Sequence, residues 1–342
     1  MLLSIVIPYF NAGKYIYTAV QSILDACVQD APYEIIIIND ASDAANTARL
    51  HEIHERCWAK HSEVPVRIET LVENQGLSGA RNHGIQMAQG EYVFTLDADD
   101  YVNKKAFIKV LKDVQNLNMD MIFFGSYWYE NDHAWGMQGF KFEPKAEITV
   151  DQKVLVSYIK AQTFYAWRFI AKRELLLQVP YPPRLYMEDV ATTTPLLSRA
   201  KRVWYEPDQV VYYRQNPNSI MKVWNEKKSM DFLTTVHMLR ERLQLDQPMQ
   251  PVLHNAYFGL SCKAYLWACA DAIRHKIPDA IGACRRIKDT HVQMFGRIAF
   301  TQWPRVARQL DRRQTLALFL LYYSPRLYQI ALKAKRTLFP KK

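Results

Sequence analysis

The sequence of this 342-residue chain predicts an α/β fold, with a mostly parallel sheet flanked by helices and a helical C-terminal region. Strand and helix patterns alternate through residues 1–125, which is typical of a sheet covered by helices. The strand candidate 34–38 has the sequence Glu-Ile-Ile-Ile-Ile, and such β-branched runs are typical of central parallel strands. Polar clusters follow three strand candidates, at the sheet edge where α/β proteins bind ligands.

Local spacing predicts the individual elements in chain order. A first strand over 2–7 ends at Pro8, and a helix over 12–28 has apolar residues at helical intervals. The second strand, 34–38, precedes a helix over about 43–59 with Ser42 or Asp43 as its N-cap. The other predicted elements are the strands 66–72, 92–96 and 119–124, and the helices 78–88, with Ser78 as its cap, and 103–117.

The pattern changes after residue 125. Residues 126–213 are dense in aromatic side chains and are interrupted by prolines, which predicts strands and loops with one or two helices. From residue 225 onward the pattern is helical, with prolines that mark the breaks between helices. We therefore predict a domain over 1–222 with halves 1–125 and 126–222, and a helical region over 223–342.

Composition excludes several classes of protein. The five cysteines show no C-x-x-C spacing, which argues against a disulfide framework and against structural zinc and favours reduced, cytosolic thiols. The N-terminal apolar stretch stops at Pro8 and predicts a strand and not a signal peptide. No apolar run approaches the roughly 20 residues that a membrane-spanning helix needs. The expected location is therefore cytoplasmic.

The positive charge is concentrated at the C-terminal end. The whole chain has a net charge of +10, and residues 301–342 hold ten Lys or Arg against one acid, a net charge of +9. A local basic segment points to an anionic surface, which is either a membrane or a nucleic acid.

Three carboxylates follow the strand candidate 92–96, in the sequence Asp97-Ala98-Asp99-Asp100. Carboxylates crowded at a strand end repel one another, and a divalent cation such as Mg²⁺ or Mn²⁺ is the simplest way to neutralise them. Such a cation also binds diphosphates. The alternative is a turn whose carboxylates are solvated, because Asp-rich turns are common.

Four stretches at ordered spacing carry a family resemblance: 4–11, 38–43, 73–84 and 90–100. In this order they resemble glycosyltransferase family 2, whose members have the GT-A (Rossmann-like) fold. The resemblance is strong over about 1–125 and continues more weakly through 167–176, 186–190 and 212–220. It implies that 1–125 forms a nucleotide-sugar half and 126–222 an acceptor half.

The resemblance implies a set of donor-binding residues and Mn²⁺ or Mg²⁺ as the cofactor. Asp40 would accept a hydrogen bond from the nucleotide base, and a UDP-sugar is the favoured donor, although the family usually has two acids where this chain has Asn39 and Asp40. Asp99 would contact the metal, and Asp97 would bind the ribose or a metal-bound water. The other implied donor-binding residues are Pro8, Tyr9, Asn11, Asn74 and Arg81. The alternatives are that Asp40 helps to cap the next helix and that Arg81 is a surface arginine.

Glu188 and Asp189 open a predicted helix over 189–200. Acidic residues in a first helical turn ordinarily match the helix dipole, so capping is one interpretation of this pair. By resemblance, Asp189 is instead the catalytic base and Glu188 supports it. An inverting transferase needs one carboxylate to accept the proton of the attacking hydroxyl.

The basic tail, 301–342, contains an apolar stretch, 315–323, that is too short to cross a bilayer. The segment that follows, 326–339, mixes apolar and aromatic residues with Lys and Arg, which suits a helix lying in the membrane interface. The alternative is an ordinary C-terminal helix packed on the protein, with a solvated basic face.

The sequence therefore predicts an inverting, metal-dependent hexosyl- or N-acetylhexosaminyltransferase. It would use a nucleoside-diphosphate sugar and a glycan or lipid-linked acceptor, would bind no nucleic acid, and would work peripherally on the cytosolic face of the plasma membrane. A sugar-nucleotide nucleotidyltransferase is disfavoured, because the segment after the first strand has one glycine, Gly13, where such enzymes need a glycine-rich phosphate loop. A nucleic-acid-binding protein is disfavoured because the basic residues lie beside apolar tail residues.

Overall fold

The computed structural model describes residues 1–26, 32–58, 64–137, 139, 142–216, 222–245 and 251–338. It divides into two compact units, Met1–Ser219 and Ile220–Lys342, close to the predicted domain boundary. The predicted ends of the first two helices at Val28 and Ala59, the residues 217–220 of the last family motif, and the tail residues 339–342 lie outside the described residues.

The N-terminal unit contains ten strands and seven α-helices among its described residues. The strands are β1 (Leu3–Tyr9), β2 (Tyr33–Asn39), β3 (Val66–Thr70), β4 (Tyr92–Thr95), β5 (Tyr101–Val102), β6 (Met121–Glu130), β7 (His133–Gly136), β8 (Glu147–Ile148), β9 (Phe169–Lys172) and β10 (Val203–Arg214). The helices are α1 (Ile16–Leu24), α2 (Ala44–Trp58), α3 (Gly76–Met87), α4 (Lys104–Leu117), α5 (Gln152–Ala161), α6 (Arg173–Gln178) and α7 (Val190–Arg199).

The strands form one sheet in the order β3-β2-β1-β4-β9-β6-β10-β5, with β7 paired to β6 and β8 to β10. The first four strands in this order, β3, β2, β1 and β4, are parallel to one another, as the sequence predicts. The second half is mixed, because β9 lies antiparallel between β4 and β6. The α/β class is confirmed. The main difference from the predicted sheet is the number of antiparallel pairings, because β5, β7 and β8 as well as β9 run antiparallel to their neighbours.

The central strands are buried along their whole length. Every residue of β1 and β2 is buried, and the two strands pair in register from Leu3 opposite Tyr33 to Tyr9 opposite Asn39. This explains their unbroken apolar sequences, since a parallel strand covered by helices on both faces has no solvent side. The carboxyl ends of β1, β2 and β4 consequently lie side by side.

One predicted helix start differs from the structure. Helix α3 begins at Gly76, and Ser78 is buried inside the helix instead of capping it. The acceptors at this helix start come from two other residues: Asp40 Oδ1 accepts the Gln75 N–H at 2.7 Å, and Asn74 Oδ1 accepts the Gly76 N–H at 3.2 Å. The hydrogen bond between Asp40 and Gln75 therefore joins the loop after β2 to the loop after β3, at the start of α3.

The C-terminal unit is helical in its described residues. Its α-helices are α8 (Glu226–Arg242), α9 (Pro251–Arg274), α10 (Ala280–Phe295), α11 (Trp303–Gln309), α12 (Arg312–Tyr323) and α13 (Pro325–Leu338). Helix α9 is buried on most of its surface and lies against α8, α10, α11 and α12. Among the described helices, none is both long and apolar enough to cross a membrane.

Candidate active site

The site lies where β1, β2 and β4 end. The loop after β1 is joined to the loop after β2 by Asn11, whose side chain accepts the Asp43 N–H at 3.0 Å and whose N–H donates to Ser42 Oγ at 3.0 Å. Asn11 has a positive φ of 50°, a conformation that asparagine tolerates better than most residues. These contacts hold the two loops together at the rim of the site.

Pro8 and Tyr9 are buried at the end of β1. The Tyr9 hydroxyl donates to the Asn46 carbonyl at 2.7 Å, so this ring contributes to the core beneath the rim. The side chain that the structure exposes at this strand end is Phe10, the next residue. Substrate binding by Pro8 and Tyr9 stays a prediction.

Asp40 is buried beside the start of α3. Besides accepting the Gln75 N–H, it offers its carbonyl to Asn74 Nδ2 at 3.0 Å. Burial raises the pKa of Asp40, and hydrogen bonds from the Gln75 and Gly76 backbones lower it. Helix α2 is capped by Asp43, which accepts the Asn46 N–H at 2.8 Å. Capping of α2 therefore does not depend on Asp40, and binding of a nucleotide base by Asp40 stays a prediction.

The turn after β4 places two carboxylates in a partly exposed position, Asp97 and Asp99, and buries the third, Asp100. Asp100 Oδ1 accepts the Arg214 N–H at 2.8 Å, while Oδ2 is buried and has no partner among the described residues. Burial and the charge of Asp97 raise the pKa of Asp99 to about 6. Burial and the charges of Asp99 and Asp97 raise the pKa of Asp100 well above its usual value. Burial and the repulsion between neighbouring acids thus disfavour the full ionisation of this turn.

Arg81 links this turn to the second half of the unit. Its guanidinium donates to Asp97 Oδ1 at 2.7 Å and to Glu188 Oε1, and it lies 5.3 Å from the centroid of the Tyr181 ring. Only 2% of the Arg81 side chain is exposed. The alternative of a surface arginine is therefore wrong, and contact with the donor stays a prediction.

Asp189 is the N-cap residue of α7, yet its side chain makes no capping hydrogen bond. The interpretation of this carboxylate as a simple helix cap is therefore not supported. Burial raises the pKa of Asp189 well above its usual value, the charge of Glu188 raises it further, and Arg81 opposes the shift. A carboxyl group with a raised pKa is a better proton acceptor near neutral pH than an ordinary aspartate.

Two residues that sequence reasoning left without a role connect distant parts of the site. The Asn82 side chain makes two hydrogen bonds with the Tyr181 backbone, at 2.8 and 2.9 Å. The Arg214 Nε donates to the Asp99 carbonyl at 2.9 Å, and its guanidinium carbon lies 5.2 to 5.4 Å from three aromatic ring centroids, those of Tyr15, Tyr101 and Tyr129. Both residues lie in stretches that carry the family resemblance, 73–84 and 212–220, but their partners are distant in the chain, so the sequence does not show what they contact.

The carboxylates fit a divalent cation that the substrate helps to coordinate. No group of three described His, Cys, Asp or Glu side chains forms a complete metal cage. Mg²⁺, however, is commonly held by one or two carboxylates together with substrate phosphates. Such an ion would offset the repulsion between Asp97 and Asp99, which in addition to burial raises the pKa of Asp99, and would satisfy the oxygen of Asp100 that has no partner among the described residues.

Comparison with known proteins is consistent with this geometry. A family model described as glycosyl transferase family 2 matches residues 4–176. The uncharacterised glycosyltransferase EpsJ of Bacillus subtilis is 29% identical over 292 residues, covering 81% of this chain and 76% of that protein. The poly(ribitol-phosphate) β-N-acetylglucosaminyltransferase TarP of Staphylococcus aureus is 34% identical over 128 residues, which is 37% of each chain.

The crystal structure of residues 1–349 of S. aureus TarS in complex with UDP-GlcNAc has the same fold. It superimposes with a TM-score of 0.72 over 98% of this chain and 92% of that one, at 18% sequence identity. At this identity the likeness shows the fold, and it confirms the predicted architecture.

Proposed function

The chain belongs to glycosyl transferase family 2, and we propose that it is an inverting enzyme that moves a sugar from a nucleoside-diphosphate donor to an acceptor hydroxyl. The observation that carries this proposal is the state of Asp189. Its carboxylate makes no helix-capping bond, has a raised pKa, and adjoins Glu188, which Arg81 ties to the turn after β4.

On the donor side, Asp40 and Asn74 would receive the nucleotide base, and Asp97 the ribose. The contacts of Asn11 support this, because its hydrogen bonds to Ser42 and Asp43 fix the loop that carries Asp40. Asp99, with Asp97 beside it, would hold Mn²⁺ or Mg²⁺. When bound, the cation supplies positive charge that stabilises the leaving diphosphate.

On the acceptor side, Asp189 would take the proton of the attacking hydroxyl as its oxygen bonds to the anomeric carbon. The bond to the diphosphate breaks on the opposite face, so the configuration inverts and no covalent enzyme intermediate is needed. Glu188 is tied to Arg81, and the Glu188 carbonyl also accepts the Thr192 hydroxyl at 3.0 Å. Glu188 would therefore position its neighbour and leave Asp189 as the base.

For the donor we propose a UDP-sugar, with N-acetylhexosamine as the first candidate. TarS was crystallised with UDP-GlcNAc, and TarP is named as an N-acetylglucosaminyltransferase. The proposed acceptor is a hydroxyl of a growing cell-surface glycan or a lipid-linked precursor. We further propose that the enzyme works peripherally at the cytosolic face of the membrane through its basic tail, and that it binds no nucleic acid.

A screen of UDP-, GDP- and dTDP-sugars with Mn²⁺, measuring release of the free nucleotide diphosphate, tests the donor class. Asp189→Asn should reduce transfer by about 10²- to 10⁴-fold, the contribution typical of a general base, with little change in donor affinity. Asp289→Asn, at an exposed position of α10, is the matched control and should retain full activity. Undiminished transfer in Asp189→Asn would place the base elsewhere, and turnover of no donor would refute the proposed reaction.

A further inference from the structure

The C-terminal unit contains a cavity of about 250 Å³ between α10 and the turn that joins α12 to α13. Arg285 and Lys288 line it from α10, and Arg326 lines it from the first turn of α13. The described residues that line the cavity include these three cations and no acid. The cavity is therefore strongly electropositive.

Two of the cations form no ion pair with a described residue. Within the described part of the chain, Arg285 and Arg326 are exposed and form no ion pair. A nearby carboxylate, Asp279, influences Arg285 electrostatically but is already committed: it caps α10 and pairs with Arg286 at 2.9 Å. Like charges that share a cavity repel one another, so an anion bound between them would be stabilised.

The third cation is held in place by the cavity wall. Lys288 Nζ donates to the Tyr322 carbonyl at 2.8 Å and lies 4.4 Å from the centroid of the Tyr322 ring. An ammonium group has three N–H donors, so two remain for a ligand. Helix α13, 14 residues long, begins at this cavity, and the positive end of a helix dipole adds to its affinity for anions.

An exposed apolar surface adjoins the cavity. Three of its side chains share one face of α12 at helical spacing, and two more follow on α13: Leu316, Phe319, Tyr323, Leu327 and Ile330. Tyr323 belongs to this surface and also lines the cavity. Basic residues beside exposed apolar side chains are the pattern of a helix that lies in a membrane interface.

We propose that this cavity binds the phosphate of an anionic phospholipid headgroup while the apolar surface enters the bilayer. Its volume is below the roughly 300 Å³ at which pockets for whole small molecules begin, and it therefore suits a phosphate group better than a nucleotide sugar. The inference rests on the proposed membrane contact and assigns it a specific site.

Flotation of the full chain with phosphatidylcholine vesicles, with and without phosphatidylglycerol, tests the site. The pocket variant is Arg285→Gln with Arg326→Gln. The control variant, Arg312→Gln with Arg313→Gln, removes the same charge from exposed positions at the start of α12. Diffuse attraction to anionic lipid contributes on the order of 1 kcal/mol per basic residue, so it would weaken both variants by up to about 30-fold. The pocket variant should lose at least about tenfold more than the control, because it also loses direct bonds to phosphate.

The outcomes separate the two proposals. Equal losses in both variants would overturn the cavity site, whereas failure of the wild type to float with anionic vesicles would overturn the membrane contact itself. Glycerol 3-phosphate is the soluble probe: if it binds the wild type but not the pocket variant, and both variants lose vesicle binding equally, the cavity takes a free phosphate and the lipid assignment fails. Donor hydrolysis, measured on each protein, shows whether the glycosyltransferase proposal stands independently.

Discussion

Arg81 is the residue whose removal should disturb the site most, because it is buried between two carboxylates. The exposed fractions of the three side chains are 2% for Arg81, 8% for Glu188 and 23% for Asp97. Breaking a buried ion pair by removing one partner typically costs about 3–5 kcal/mol, since the other charge is left uncompensated. Arg81→Met should therefore lower the free energy of unfolding of the N-terminal unit by about this amount. Most of the loss should come from leaving the Glu188 charge without a partner, because Glu188 is more buried than Asp97.

The assay is urea unfolding followed by a probe of the N-terminal unit, with Arg184→Met as the matched control. Arg184 pairs with Glu73 at 3.1 Å, but both side chains are about 70% exposed, and exposed pairs contribute only about 0–1 kcal/mol. Adding Glu188→Gln to Arg81→Met should recover part of the loss, because it removes the unpaired charge. A cost for Arg81→Met no greater than that for Arg184→Met would refute the view that Arg81 holds the site together.

Two further predictions concern the turn after β4 and the packing of α3 on β1. The pKa of Asp99 is about 6, and a ligand carboxylate must be ionised, so Mn²⁺ affinity measured by calorimetry should fall as the pH is lowered through 6. Asp99→Asn should abolish most of the Mn²⁺ binding and its dependence on pH. An Mn²⁺ affinity that stays constant from pH 5 to 8 would contradict this prediction. Gly84→Ala should lower the free energy of unfolding by about 1–3 kcal/mol in a thermal melt, because a Cβ there would lie 2.3 Å from Val6 Cγ1. Gly136→Ala should be nearly neutral, because a Cβ there would have no atom of the described residues within 4 Å.

The part of the fold that could be predicted from sequence is the part fixed by local pattern. The parallel strands β1, β2 and β4 are buried along their whole length and are mostly apolar. Their ends meet at one edge of the sheet, so the motifs that follow them could be grouped without a structure. The antiparallel β9 could not be placed, since a four-residue apolar strand carries no information about its direction or its neighbours.

The contacts between the arginines and the acids of the site could not be predicted from the sequence, because they join residues that are distant in the chain. Arg81 lies in the second turn of α3, where an arginine is ordinarily solvated, and its partner Glu188 is 107 residues away. Arg214 likewise meets Asp99 and Asp100 only because β10 returns to the sheet beside β6. Residue type and spacing could identify the acids, but the cations that compensate them required the structure.

The acids of the site differ in whether a cation neutralises them. The turn after β4 and the Glu188-Asp189 pair together hold five acids. Asp97 and Glu188 are paired with Arg81, while Asp99, Asp100 and Asp189 have raised pKa values because burial and neighbouring acids outweigh the nearby cations. A diphosphate entering this edge would add negative charge to a region that already has an excess. In the proposed mechanism a divalent cation at Asp99 would offset this repulsion, so donor and cation are expected to stabilise each other. In the proposed mechanism Asp189, next to the paired Glu188, is the carboxylate that would accept the proton.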